Sequence, residues 1–247
     1  MLVFGYGSLI WKADFKYEFK TSAFIRGYKR RFWQGSIDHR GTHEAPGRVV
    51  TLLPTEEWKE RFSHLDETID DEDDLVWGVV YKIAAEDVES VRSHLDHREK
   101  NGYSTYNVDV FHPSVGNATI PMFSDVLVYV ADSSNESFLG PAPISQIAKI
   151  IADRSGPSGP NVHYLYGLTH SLKLVNGLDK HLIQLEAAVE SYLAETGGLA
   201  RPRHVVTEKD TNDLKLLHRL SQEKLDLDFQ TGSLSFHQLQ PILVMSS

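Results

Sequence analysis

The short apolar runs of this chain fall almost entirely in its first half. LVFGY (2–6), GRVVTLL (47–53), LVWGVVYKI (75–83), YSTYNVDVF (103–111) and DVLVYVA (125–131) are rich in β-branched and aromatic residues and end at Gly, Pro or acidic turns, as strands do. FIRGYKRRFWQGS (24–36) mixes aromatic and basic residues and holds another strand. The second half changes period. PISQIAKIIADRS (143–155) and NVHYLYGLTHSLKLV (161–175) flank a GPSGP turn at 156–160, and KHLIQLEAAVESYLAE (180–195) has helical spacing. A last helix is expected around 211–226. Among the strands, AEDVESVRSHLDHREKNG (85–102) reads as a helix. Val88, Val91 and Leu95 mark its apolar face, acidic residues fill its first turn, and Asn101-Gly102 stops it. Strands that precede helices, rather than alternate with them, predict an α+β fold with a largely antiparallel sheet or barrel. Residues 55–74 and 132–142 read as loops, and Gly197-Gly198 is the best candidate for a junction.

The chain has 247 residues, enough for one domain with an appendage. Its longest apolar stretches are far below the roughly 20 residues of a membrane span. No secretory signal is visible at MLVFGYGS. With no cysteine, disulfides, thiolate nucleophiles and Cys-ligated metal centres are excluded, and a cytoplasmic location is expected. A formal net charge of −9 argues against nucleic-acid binding, which needs a basic face. Much of that charge sits in DETIDDEDD (66–74), a solvated loop; it lacks the glycine and terminal glutamate of a calcium-binding loop.

GYGSLI (5–10) closes the first strand with two glycines and a serine. The dinucleotide fingerprint fails because Ile10 stands where a third glycine is needed. A phosphate-binding P-loop fails for want of Gly-Lys-Ser/Thr, and a hydrolase elbow fails on spacing. Two readings remain: a strand-end turn of tight geometry, or a cup of backbone N–H groups for an anion such as a carboxylate. In HLDHREKNGY (94–103), Val91, Leu95 and Glu99 recur every fourth residue, so the buried stripe ends in a carboxylate. Partial burial and the helix C-terminus would both raise the Glu99 pKa and suit a general base. The alternative is a pair with a neighbouring cation. His94 and His97 lack a third ligand at metal spacing, and Ser8, Asp38 and His39 make no evident triad.

Taken together, VFGYGSLIW, RRFWQGSIDHRGT, PGRVVTL, REKNGY, FLGPAP and GPSGPNVHYL resemble, in order, the motifs of the ChaC family, over roughly residues 2–195. The resemblance implies a small mixed or antiparallel β-barrel flanked by helices. It implies a glutathione-specific γ-glutamylcyclotransferase, a lyase that splits glutathione into 5-oxoproline and Cys-Gly without a metal or organic cofactor. It assigns the substrate loop to Val3, Phe4, Gly5, Tyr6, Gly7, Ser8 and Leu9, and catalysis to Glu99. Tyr103, Arg48 and Asn161 are expected to line the pocket for the dipeptide part. The catalytic domain is expected over 1–199. Residues 200–247 form a C-terminal helical extension, packed on the body or on another chain. The expected partner is a small-molecule substrate, with no nucleic acid, no membrane and a monomeric state. His94, where the family carries an aromatic residue, and His163, where it carries an acidic one, depart from the pattern. Two other readings use the same residues. One is a cyclotransferase for other γ-glutamyl amino acids or amines; the other is a non-catalytic module binding a γ-glutamyl ligand or a protein.

Overall fold

A computed structural model of the chain describes residues 1–68, 74–98, 102–112, 118–175, 177, 179–197, 205–231 and 244–245. The apolar runs of the first half form strands β1 (Leu2–Gly5), β2 (Phe19–Arg26), β3 (Tyr28–Ser36), β4 (Gly47–Pro54), β5 (Leu75–Lys82), β6 (Ser104–Val110) and β7 (Phe123–Val130). The stretch 24–36 thus holds the end of one strand and all of the next. Gly27, at φ 78°, makes the left-handed turn between them.

β2, β5, β1, β7 and β6 lie side by side in that order. β1 runs parallel to β7 and antiparallel to β5, so the sheet is mixed. Its two ends curl towards each other. Phe24 of β2 and Phe111, just beyond β6, exchange both backbone hydrogen bonds at 2.9 and 2.8 Å, and their rings stack. One bridge, not a full ladder, brings the edges together. Val3, Val79, Val80, Val126 and Val128 are fully buried in this sheet; the adjacent Val79 and Val80 point to opposite faces, so β5 is covered on both.

β3 and β4 form a separate hairpin whose register shifts between Arg31 and Gln34. A bulge leaves peptide groups without their ladder partners, and side chains take their place. The Phe32 N–H donates to His181 Nε2 at 3.1 Å, and the Phe32 carbonyl accepts from Arg48 Nη1 at 3.0 Å. Lys29, Arg30 and Arg31 of β3 are all buried. Each meets a carboxylate from a different part of the chain: Asp74 at 2.8 Å, Asp179 at 3.4 Å and Asp66 at 2.5 Å. The basic character of this strand is therefore internal, which a buried charge tolerates only when paired.

The helices cover the hairpin and sheet. α2 (Val88–Arg98) buries Val91 and Leu95, as its spacing predicts. α3 (Ile144–Asp153), α4 (Asn161–Leu174) and α5 (Lys180–Thr196) follow the expected periods. The turn at 156–160 is a small hairpin of β8 (Ser155–Gly156) and β9 (Gly159–Pro160). The stretch 55–74 is not all loop: α1 (Thr55–Arg61) opens it. Glu56 and Glu57 sit in its first turn and Lys59 and Arg61 in its last, the arrangement that a helix dipole favours. The rest of the acidic run, 69–73, lies outside the described residues.

The C-terminal segment packs on the body. α6 (Glu208–Thr231) buries Leu214 and Leu217 completely, and Asp213 meets the buried Lys20 ammonium of β2 at 2.8 Å. β10 (Val244–Met245) pairs antiparallel with Phe19 and Lys20 at the start of β2. Among the described residues no helix is long and apolar enough to cross a membrane, and no group of three or more His, Asp or Glu is arranged to hold a metal ion.

Candidate active site

The glycine turn follows β1 directly, and its own hydrogen bonds shape it. Ile10 N–H donates to Gly7 O, and the N–H groups of Trp11 and Lys12 both donate to Ser8 O, winding Ser8–Ile10 into a single 3₁₀ turn. Among the described residues nothing accepts from the N–H groups of Gly7, Ser8 and Leu9. Three consecutive donors of this kind suit an anion. Tyr81 Oη donates to Leu9 O at 2.6 Å from beneath and ties the turn to β5. The glycines are required by close approach. A Cβ on Gly5 would sit 2.6 Å from Leu9 Cβ, and one on Gly7 would sit 2.9 Å from Tyr164 Oη.

The turn forms one wall of a cleft of about 190 Å³. The opposite walls come from the end of α2, from the β3–β4 connection and from α4. Phe4, Gly5, Tyr6, Gly7, Ser8, Leu9 and Tyr103 all line it. Three other sequence-predicted residues do not. Val3 is fully buried within β1, paired with Tyr81 and Leu127. Arg48 is buried, with Nη1 donating to Phe32 O and Gly140 O, and burial pushes its guanidinium down to about 10. Asn161 is buried too, and its amide brackets the Arg48 backbone, accepting from Arg48 N at 2.7 Å and donating to Arg48 O at 2.8 Å. Arg48 and Asn161 thus hold the framework of the hairpin beside the cleft. Glu99 lies outside the described residues; its neighbour Arg98 is the last described residue of α2.

Arg98 joins the two motifs. Its Nη2 donates to Ser8 Oγ at 2.7 Å, and its Nη1 bonds Asp14 Oδ1 at 2.6 Å. His94 Nε2 meets the same Asp14 oxygen at 3.1 Å. Burial works to raise the Asp14 carboxyl, but the Arg98 guanidinium and the His94 hydrogen bond outweigh it and hold it below the usual carboxylate range. The departure at His94 is therefore a contact at the rim of the cleft. His163 is held below the ordinary histidine range by burial and by Arg40.

The end of β3 and the β3–β4 connection add residues that sequence reasoning did not assign: Gln34 and Ser36 of the strand and Asp38, His39 and Arg40 of the connection line the cleft. The signal was present in the DHRG run, a dense polar stretch between two buried strands. Its backbone is clamped to the β8–β9 hairpin, with Ser158 N donating to His39 O at 2.9 Å and Arg40 Nη1 donating to Ser158 O and Pro160 O.

This fold, a curled mixed sheet whose first strand runs into a glycine turn, is shared with a solved γ-glutamyl cyclotransferase. A crystal structure of the yeast γ-glutamyl cyclotransferase specific to glutathione superimposes with a TM-score of 0.70 at 36% identity, covering 78% of this chain and 96% of that one. The family model described as ChaC-like protein matches residues 1–192, and the chain belongs to that family. The glutathione-specific gamma-glutamylcyclotransferase of Schizosaccharomyces pombe is 42% identical over 78% of this chain and 94% of its own length. Glutathione-specific gamma-glutamylcyclotransferase 1 of Homo sapiens is 37% identical over 77% of this chain and 79% of its own.

Proposed function

We propose that this protein is a glutathione-specific γ-glutamylcyclotransferase, splitting glutathione into 5-oxoproline and Cys-Gly. The observation that carries the reading is the Arg98–Ser8 bond, which sets the residue before Glu99 against the glycine turn in one cleft. Membership of a family whose relatives carry that name supports it.

The reaction is internal to the substrate. Its α-amine attacks its own γ-carbonyl, the five-membered lactam closes, and the bond to the cysteine nitrogen breaks. An ammonium cannot attack, so Glu99 takes one of its protons and returns it to the departing amine; the ring nitrogen sheds a second as the lactam forms, and with both the amine leaves as the Cys-Gly ammonium. The N–H groups of Gly7, Ser8 and Leu9 hold the α-carboxylate, which folds the γ-glutamyl chain into the attacking conformer. For an intramolecular closure that positioning is itself a large part of the rate. The catalytic unit is residues 1–199 and the remainder is an added C-terminal piece, in keeping with a family match that ends at 192. We read the protein as a cytoplasmic monomer.

The test is incubation of purified protein with reduced glutathione, following 5-oxoproline and Cys-Gly by mass, beside Glu99→Gln. The expected result is product from the wild type and none from a folded variant. Product from both would sink Glu99 as the base. Product from neither would redirect the search to other γ-glutamyl amino acids and amines.

A further inference from the structure

The cations of the cleft are not alike in what balances them. Arg98 is paired with Asp14 at 2.6 Å. Lys12 is exposed and solvated. Arg40 is partly buried, and among the described residues no carboxylate lies within ion-pair distance of it. Its side-chain partners are neutral. Nη1 donates to Ser158 O at 2.7 Å and to Pro160 O at 3.1 Å, and the guanidinium lies 5.9 Å from the centre of the Tyr164 ring. Burial holds its pKa below the ordinary arginine range, a sign that its charge is poorly compensated in the protein as it stands. A guanidinium held by two carbonyls on one nitrogen, at the wall of a cleft and without a counter-charge, is arranged for an incoming anion.

Resting on the cyclotransferase reading, we propose that Arg40 binds the C-terminal carboxylate of the dipeptide part of the substrate and selects γ-glutamyl peptides over γ-glutamyl amines. The substrate carries two carboxylates, and position separates them. The α-carboxylate belongs to the glycine turn. Arg40 stands on a different element, with the Tyr164 side chain between: the Tyr164 hydroxyl closes on Gly7, and its ring faces Arg40. Two residues beyond the γ-carbonyl carry the C-terminal carboxylate at most about 7 Å past the reacting carbon, so the two carboxylates fall on different walls of the cleft. Arg40 also clamps the β8–β9 hairpin, so a charge-reading role must be separated from a bracing one.

The experiment compares three substrates: glutathione, its C-terminal carboxamide and its α-carboxamide. Each is assayed with the wild type, Arg40→Lys and Arg40→Gln. Loss of a charge-assisted bond should lower kcat/KM about tenfold to a hundredfold. The wild type should disfavour the C-terminal carboxamide by that factor, mainly through KM. Arg40→Gln should lose the same factor on glutathione and little on the C-terminal carboxamide, so that the preference collapses. Arg40→Lys should keep part of it, and discrimination against the α-carboxamide should survive in every variant. Equal use of acid and C-terminal amide by the wild type overturns the assignment and leaves the reaction standing. A uniform loss in Arg40→Gln on all substrates overturns it in favour of bracing. Collapse of the α-carboxamide preference instead overturns it in favour of the other carboxylate. No turnover of glutathione by the wild type removes the cyclotransferase reading and the assignment with it.

Discussion

Gly7 can be tested only by adding to it. A Cβ there would lie 2.9 Å from Tyr164 Oη and 3.4 Å from Val50 Cγ2, and both neighbours line the cleft. Valine at this position would push the tyrosine or the turn aside by a fraction of an ångström. It would do so at the wall of the site, leaving the sheet beneath untouched. Displacements of about 1 Å in a positioning group cost roughly a hundredfold in rate. Gly7→Val is therefore expected to lower kcat/KM on glutathione about a hundredfold or more while moving the thermal midpoint by no more than a few degrees, read by steady-state kinetics and melting on the same preparation. Unchanged turnover would remove the turn from the site. Gly5 is a poorer probe, because its Cβ would meet Leu9 Cβ at 2.6 Å inside the turn's own packing, so fold and function would fail together. At this scale the sequence was informative about the turn and much less so about its surroundings. Two glycines two residues apart at the end of the first strand, Gly5 and Gly7, announce a close approach. Nothing in the residue types of Arg48 and Asn161 distinguishes a cleft wall from the buried bracket they form behind it.

Elements divide by whether their signals are local. α2, α4 and α5 follow from apolar spacing, and the strands of the first half follow from β-branched runs between turns. α1 was hidden because its seven residues, TEEWKER, are mostly charged and its apolar contact is a single Trp58; its opposed end charges were the readable clue. The burial of Lys29, Arg30 and Arg31 could not be read at all, since their carboxylates come from residues 74, 179 and 66 and only the tertiary fold brings them in. The C-terminal segment shows the same limit. Its leucines announced a buried face, and the fold supplies the partner: α6 lies on the body with Leu214 and Leu217 at zero exposure. Truncating a fully buried leucine to alanine costs about 2–5 kcal/mol. Leu217→Ala should lower the stability of the whole chain by that order in urea unfolding, in one transition. KM for glutathione should stay unchanged under conditions where the variant is folded. A variant as stable as the wild type would show that α6 is not docked in solution.

Across the whole molecule, one histidine links the bulge, the α5 helix and the buried charges. His181, at the start of α5, is fully buried. Its Nε2 accepts from the Phe32 N–H at the bulge, so the ring is neutral, with the proton on Nδ1 facing Thr68 Oγ1 at 2.7 Å. Burial pushes its pKa from 6.5 down to about 3; Arg31, Arg48 and Arg30 act in the same direction, and Asp66 opposes them. The sign follows from proton counting. Above pH 6.5 neither the folded nor the unfolded chain protonates this ring, and the contribution is complete. Between 6.5 and about 3 the unfolded chain binds a proton that the folded chain refuses, so stability falls as the solution is acidified. One proton corresponds to about 1.4 kcal/mol for each pH unit. Asp66 is held below the usual carboxylate range, so its own acid loss begins lower; from pH 6.5 to about 5 the loss comes from His181, with a lesser part in the same direction from His163, which burial and Arg40 also hold low. Unfolding free energies measured across that interval should fall with a slope of at least about one proton, most of it from His181. In His181→Gln, whose amide can still accept from Phe32 and donate to Thr68, the protein should be less stable at pH 7.5 and the slope should flatten. A slope that persists unchanged in the glutamine variant would assign the acid sensitivity to other groups and would mean that the His181 ring takes up its proton in the folded state.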